Sequence, residues 1–517
     1  MSESRDFVVI GSGMGGLTVA SLLAKAGYRV TVLEAHTYPG GCCHTFPMGP
    51  YHFCAAVHYI FYCGPGEPIY NLLHKLGLHE TVTFERLDPR GYDHFSCPRE
   101  RVRFPIPSGL NAWAVSLGDR LPAEREPIAA FFRLIEESVR DLKKLPFDRG
   151  LKQRLTAALA CPNVMRYRRW TLQDVFDTLN LSPTAQAILA TQVGDLGLPP
   201  REVSFLAYCG LVSSYGAGAY YPTEHFDHFI RSIEKVIVCG RGCAIHYSSE
   251  VAQVDLSQGK IHSVTTSDGR EFKADAFICN TDPKRFVESL GHRHFPSSYV
   301  KQLDYRYSAS SFTVYLGVEG LDLRDHGFGN WNVWHYPHLD INRTYDRQNR
   351  AGDLTDPWLF MSTPALCTPQ PALCPPGQQI LELVTTCNFD RFDALRSTNR
   401  AVYTKAKNNA RDSMIDIVER DYIPRLRKHL RFRMAGSPTT NIRYLWAPRG
   451  HIYGSELSPR NVDFCRPTFK TPISNLYFTG ASAEFPSIGA TVVGGCRLYT
   501  HLTGDSVNGG REMYGMV

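Results

Sequence analysis

Phe7-Val8-Val9-Ile10-Gly11-Ser12-Gly13-Met14-Gly15-Gly16 opens the first regular unit of the chain, and Tyr28-Arg29-Val30-Thr31-Val32-Leu33-Glu34 closes it. An apolar strand enters a glycine-rich turn, a helix is expected over about 15–27, and Val30–Leu33 return as a second, parallel strand. Gly11 permits the tight turn, Gly13 lets a pyrophosphate approach the backbone, and Gly16 allows helix and strand to pack closely. The helix N-terminus then presents unpaired N–H groups to two phosphates. Glu34, ending the second strand, can accept both hydroxyls of an adenosine ribose, and its charge disfavours a 2′-phosphate. The pattern therefore reads as a site for a dinucleotide that lacks that phosphate. Glycines alone would make an ordinary turn; the strand, the helix and the acid in register make the stronger case.

Working outward, 517 residues suit two domains, tandem or intertwined. Hydrophobic residues at 43% and charged residues at 21% describe a folded protein with a sizeable core. The net charge of +6 is small for this length and gives no support to nucleic-acid binding. The 15 cysteines follow no repeating spacing, which suits reduced thiols better than a disulfide framework. Phe7 to Ala24 is uncharged and long enough to imitate a membrane span, but its glycines and its strand-to-helix switch explain it better. Met1–Asp6 offers no signal peptide, so the chain is either unprocessed or lacks a trimmed transit sequence.

The cofactor unit reads as three separated pieces: 1–85, 215–295 and 435–517. In the middle piece His246–Ser248, Val251–Asp255, Ile261–Thr265 and Glu271–Lys273 read as short strands ending in the buried strand Ala276–Asn280. The insertions 86–214 and 296–434 are expected to form a substrate-binding, membrane-facing domain. The first reads as mostly helical, with amphipathic stretches near 124–145 and 171–180. The second alternates strands (311–317, 331–336, 380–386) with a Pro-rich loop at 364–376 and one long helix over 398–429.

Near the C-terminus, Asn475–Thr479 is a strand that ends in Gly480-Ala481, and Phe485–Gly495 runs into a helix. Flavoproteins with two dinucleotide-binding folds use such an ending. The turn closes over the ribityl chain, and the helix N-terminus, placed here near Thr491–Val492, aims its partial positive charge at the flavin ring.

Residues 32–46 (Val-Leu-Glu-Ala-His-Thr-Tyr-Pro-Gly-Gly-Cys-Cys-His-Thr-Phe), Val57–Ile60, Ala447–Gly450, Tyr453-Gly454 and 475–481 resemble the all-trans-retinol saturase and carotenoid isomerase group. That group lies within the wider phytoene desaturase and amine oxidase superfamily. The resemblance implies an α/β fold of the two-dinucleotide-binding type, with a Rossmann-type FAD domain and a mixed α+β substrate domain. It implies FAD held by Gly11, Gly13, Met14, Gly15, Gly16 and Glu34 at the ADP half. Gly40, Gly41 and Cys42 would lie by the pyrophosphate and flavin, Val251 by the adenine, Gly480 and Ala481 by the ribityl chain, and Thr491 and Val492 by the flavin ring. Many relatives carry an acid after that late glycine; this chain has Ala481-Ser482, which leaves one ribityl contact without a partner.

A second departure is Tyr221-Pro222-Thr223-Glu224-His225, where the family has Tyr-Pro-x-Gly-Gly. Glu224 and His225 are either an acid–base pair that alters the chemistry or part of a shifted loop facing solvent. His58 and Tyr59 are candidate catalytic residues lining the pocket, or else a hydrogen-bonded core pair. Arg449 and Tyr453 either line the substrate tunnel or anchor a loop. Cys42, Cys43, His44, His52, Cys54 and His58 lack zinc-site spacing, and no metal is expected.

The expected substrate is a hydrophobic polyene, and the expected enzyme is an FAD-dependent carotenoid isomerase or oxidoreductase. Redox-neutral isomerisation or addition with reduced flavin is favoured over saturation or desaturation by hydride transfer. A non-catalytic flavin-fold lipid carrier is the alternative of another class, which intact flavin motifs argue against. Segment 143–170 interleaves eight basic residues and the single acid Asp148 with apolar and aromatic ones, as a peripheral membrane contact or a solvated helix face would. The resemblance favours a peripheral membrane protein of a plastid, with the endoplasmic reticulum or the cytoplasmic membrane face as alternatives.

Overall fold

A computed structural model describes residues 5–145, 156–157, 159–368, 373–462 and 466–507. The opening strand is Asp6–Ile10, its helix Met14–Lys25 and the returning strand Arg29–Leu33. The uncharged run from Phe7 to Ala24 is accounted for by that strand, turn and helix, with Leu17, Val19 and Leu23 fully buried. Among the described residues no helix is long and apolar enough to cross a membrane.

Five strands form one parallel sheet in the order Leu476–Phe478, Ala276–Cys279, Asp6–Ile10, Arg29–Leu33 and Ala244–His246. Covered on both faces, its central strands are unbroken apolar runs, as parallel sheets require. His246 was expected in a hairpin; it instead ends the edge strand beside Leu33. In this middle piece Val251–Ser257, Lys260–Thr266 and Glu271–Lys273 form the antiparallel hairpins.

A second sheet has seven strands, in the order Leu430–Gly436, Ser310–Glu319, Gln378–Cys387, Leu359–Ser362, Asn332–His335, Asp93–Cys97 and Val102–Ile106. The last two come from the insertion expected to be mostly helical. Asp93–Cys97 pairs in parallel with Asn332–His335 and antiparallel with Val102–Ile106, so both insertions build one sheet. The helices Arg125–Leu142 and Leu172–Thr178 fall within the amphipathic stretches, the second started by a Thr171–Asp174 capping box. The helix expected over 398–429 is two helices, Arg400–Asp421 and Leu426–His429, and a further helix, Phe389–Thr398, precedes them. Asn399 breaks the run in an extended conformation and caps Arg400–Asp421 by accepting from the N–H groups of Ala401 and Val402. Arg425 precedes Leu426–His429 in a left-handed conformation.

Candidate active site

A cavity of about 950 Å³ runs from the glycine turn to the seven-stranded sheet. At its nucleotide end the turn is held by the Gly11 N–H, which donates to Leu33 O at 2.8 Å. Gly11 has a φ of 95°, open to glycine and few others. A Cβ on Gly16 would sit 2.3 Å from Gly11 O, and Gly16 does not line the cavity, so its part is packing. Gly13 caps the helix without a side-chain bond, which leaves the first-turn N–H groups open to an anion. Glu34 lines the cavity and is only 9% exposed. Its Oε2 accepts from the Ser12 N–H and hydroxyl at 2.7 and 2.6 Å, and its Oε1 accepts from the His36 N–H at 2.7 Å. These bonds fix the carboxylate while leaving lone pairs for ribose hydroxyls. Met14, Gly15, Gly40, Gly41, Cys42, Val251, Gly480 and Ala481 also line the cavity.

The last helix, Ile488–Thr503, starts earlier than expected. The Thr491 N–H already donates to Ser487 O, and Val492 is fully buried away from the cavity. The open helix end is therefore at Ser487–Gly489; these residues and the expected Thr491 line the cavity, whereas Val492 does not. An acid does stand beside Ala481-Ser482. Asp282 lines the cavity and accepts from the hydroxyls of Ser482, Tyr305 and Tyr307 at 3.0, 3.0 and 2.8 Å. Thr479 Oγ1, buried and unpartnered among the described residues, opens on the same stretch. An acidic anchor, open helix ends and a spare hydroxyl together fit FAD.

At the far end Trp334, Trp358, Phe360 and Tyr215 line the walls. His58 and Tyr59 lie here, and each reaches a carboxyl. His58 Nδ1 is 2.7 Å from Glu382 Oε2, in the middle of strand Gln378–Cys387 and 1% exposed. The Tyr59 hydroxyl lies 2.7 Å from Asp195 Oδ2 and 3.1 Å from Asp93 Oδ2, and its ring stacks on Tyr215 at 4.3 Å. Burial pushes both aspartates up, Asp93 to about 7 and Asp195 to about 8. Tyr453 lines the cavity and its hydroxyl donates to Gly194 O at 3.2 Å, whereas Arg449 anchors its loop by pairing with Asp390 at 2.8 Å.

Glu224 and His225 do not line the cavity. Glu224 is half exposed beside His228. His225 is buried 3.1 Å from Thr45 Oγ1, and burial pushes its imidazole down to about 3. The two side chains diverge because Glu224 precedes helix His225–Val238 while His225 takes a φ of 67° at its first position. Neither side chain therefore meets the cavity: Glu224 keeps the solvent-facing place of a shifted loop, whereas His225 is buried at the helix start. Asp93, Asp195, Asp282 and Glu382 escaped the sequence reading, because an isolated acid carries no signal until the fold supplies its neighbours.

The pattern of the family described as "Flavin containing amine oxidoreductase" matches residues 14–497. The chain belongs to that family. FAD is the cofactor that its fold and cavity serve. The chain is 28% identical over 516 residues to the all-trans-retinol 13,14-reductase of Danio rerio, covering 92% of this chain and 82% of that protein. It is 24% identical over 511 residues to prolycopene isomerase 1, chloroplastic, of an Oncidium hybrid cultivar, covering 95% and 82%. Cyclohexylamine oxidase from Brevibacterium oxydans shares the fold, with a TM-score of 0.63 at 15% identity over 96% of this chain and 99% of that one.

Proposed function

We propose that this flavoenzyme acts on a C=C bond of a carotenoid or related polyene. One observation carries the reading: a single cavity joins the dinucleotide turn to an end walled by Tyr215, Trp334, Trp358 and Phe360, matching a long, flat apolar substrate laid against a flavin. Gly11, Gly13 and Glu34 would hold the ADP half, Asp282 and Thr479 the ribityl region, and Ser487–Gly489 the flavin ring edge. Bound FAD supplies hydride exchange with a substrate carbon. The protein's own part is to exclude water, to stack the polyene among Tyr215, Trp334 and Phe360, and to hold protons near it through His58 and Tyr59. Redox-neutral isomerisation or addition remains the primary reading. Saturation is the second, favoured by the relatives named for 13,14-reduction.

The five-stranded sheet would carry the cofactor domain, and the seven-stranded sheet the substrate domain. A membrane-dissolved substrate calls for peripheral membrane contact, in a plastid or at the endoplasmic reticulum. Exposed Leu159 and the basic Arg166, Arg168 and Arg169 of the same stretch of sequence support such a face. Residues 146–155 and 158 of the segment 143–170 lie outside the described residues, and Tyr167 packs inward at 3% exposure.

Titrating FAD-loaded protein with carotenoids, retinoids and aliphatic amines tests the substrate class. The expected result is quenching of tryptophan emission and a shifted flavin spectrum with polyenes. The same response to amines alone would overturn the reading.

A further inference from the structure

A phenol has one hydrogen, yet the Tyr59 hydroxyl lies within hydrogen-bonding distance of two carboxyl groups. It can donate to only one of them. The other contact is a hydrogen bond only if that carboxyl carries a proton and donates to the phenol oxygen. The amides around the pair decide which one does. Asp93, with no exposed surface, accepts from Gln192 Nε2 at 2.7 Å and from Asn332 Nδ2 at 3.0 Å, so it is equipped to hold charge. Among the described residues Asp195 has Tyr59 alone as its hydrogen-bond partner, and it opens on the cavity. The other titratable groups facing the pair are the phenols of Tyr92, Tyr215, Tyr336, Tyr345 and Tyr453, and among the described residues neither carboxyl makes an ion pair. Two charges this close in a dry site repel strongly, so one proton stays. A ligand is indicated independently: Trp358, 2% exposed, lines the same cavity, and its Nε1–H has no partner among the described residues.

We propose that Asp195 and Asp93, joined through the Tyr59 hydroxyl, share one proton and that Asp195 delivers it to a carbon of the polyene. The inference rests on the polyene reading above. Rotation of the Asp195 carboxyl turns its O–H from Tyr59 toward the substrate. The O–H bond breaks, the π pair of a C=C forms the new C–H bond, and Asp195 is left as a carboxylate bonded to the Tyr59 O–H. In the redox-neutral course the neighbouring carbon is left cationic, the former double bond rotates, and the same proton returns to Asp195. For saturation, a bound reduced flavin would supply a hydride to the neighbouring carbon instead. The bond is then reduced by two electrons, the flavin is oxidised by two, and Asp195 recovers a proton from solvent. Asp195 touches the substrate; Tyr59 and Asp93 are positioning residues that set its proton affinity.

The test has two arms on FAD-loaded protein. Infrared spectra at neutral pH should show a protonated carboxyl band that shifts in D2O and disappears in Asp195→Asn, with FAD content unchanged. Turnover of a polyene should fall 100-fold or more in Asp195→Asn, as for loss of a general acid. In Asp93→Asn the loss of turnover with rising pH should move to lower pH, because the charge that keeps Asp195 protonated is gone. No such band, or an Asp195→Asn variant with unchanged turnover and pH profile, overturns the proposal. A band in a protein that turns over no polyene would instead overturn the substrate reading.

Discussion

Tyr59 meets Asp93 from the seven-stranded sheet and Asp195 from the turn Thr191–Leu196, and this convergence fixes the chemistry at the scale of single residues. Its pH dependence has a definite sign. Both carboxyls ionise near 4 when unfolded and near 7–8 when folded, so between those values the folded protein binds more protons. Their stabilisation is present below pH 4 and is lost as pH rises to about 8. Thermal melts from pH 5 to 8 should therefore decline more steeply for the unaltered protein than for the Asp93→Asn/Asp195→Asn variant; parallel curves would contradict this. Replacing His58 with alanine strands the Glu382 carboxylate in the core and should cost about 3 kcal/mol. His58→Leu with Glu382→Leu should recover most of it in denaturant titrations. The Glu224→Gly/His225→Gly variant should keep turnover within a few-fold, since neither side chain reaches the cavity; lost turnover with FAD retained would restore them as a catalytic pair. Glu34 was legible in the sequence because its partners are local, Ser12 and His36. The Tyr59 cluster was not, because its members lie as far as 136 residues apart.

The same contrast of range separates the elements that were read well from those that were not. The first βαβ unit could be read because its turn, helix and strand are contiguous and their periods differ. Asp93–Cys97 could not: five residues opening Asp-His look like loop until Asn332–His335 and Val102–Ile106 give them ladder partners. The final helix was placed late because Ser487, at a φ of 131°, caps it by accepting from the Ala490 N–H, a conformation that serine rarely adopts. At this scale Gly16→Ala is decisive. Its Cβ meets backbone, not a movable side chain, so the turn must open. Purified Gly16→Ala should retain little FAD and be about 1–3 kcal/mol less stable. Full FAD content would show that the turn is looser than its 2.3 Å approach implies.

For the whole molecule, one cavity runs between two sheets built from interleaved pieces of chain, so in the proposed reading cofactor and substrate would share walls. Binding FAD to the folded state alone should add about 2.7 kcal/mol at a concentration a hundredfold above its dissociation constant. Removing it should lower the melting temperature reversibly. The central claim is chemical, and anaerobic incubation of FAD-loaded protein with a carotenoid and retinoid panel, with and without flavin reduction, tests it most directly. Product mass and flavin absorbance are followed together. The account predicts a new polyene product, whose dependence on reduced flavin separates the two courses. Unchanged mass, or addition of water, with the flavin's redox state unchanged marks the redox-neutral course; gain of two hydrogens with flavin oxidation marks saturation. No change in any polyene while an amine is oxidised would contradict the account.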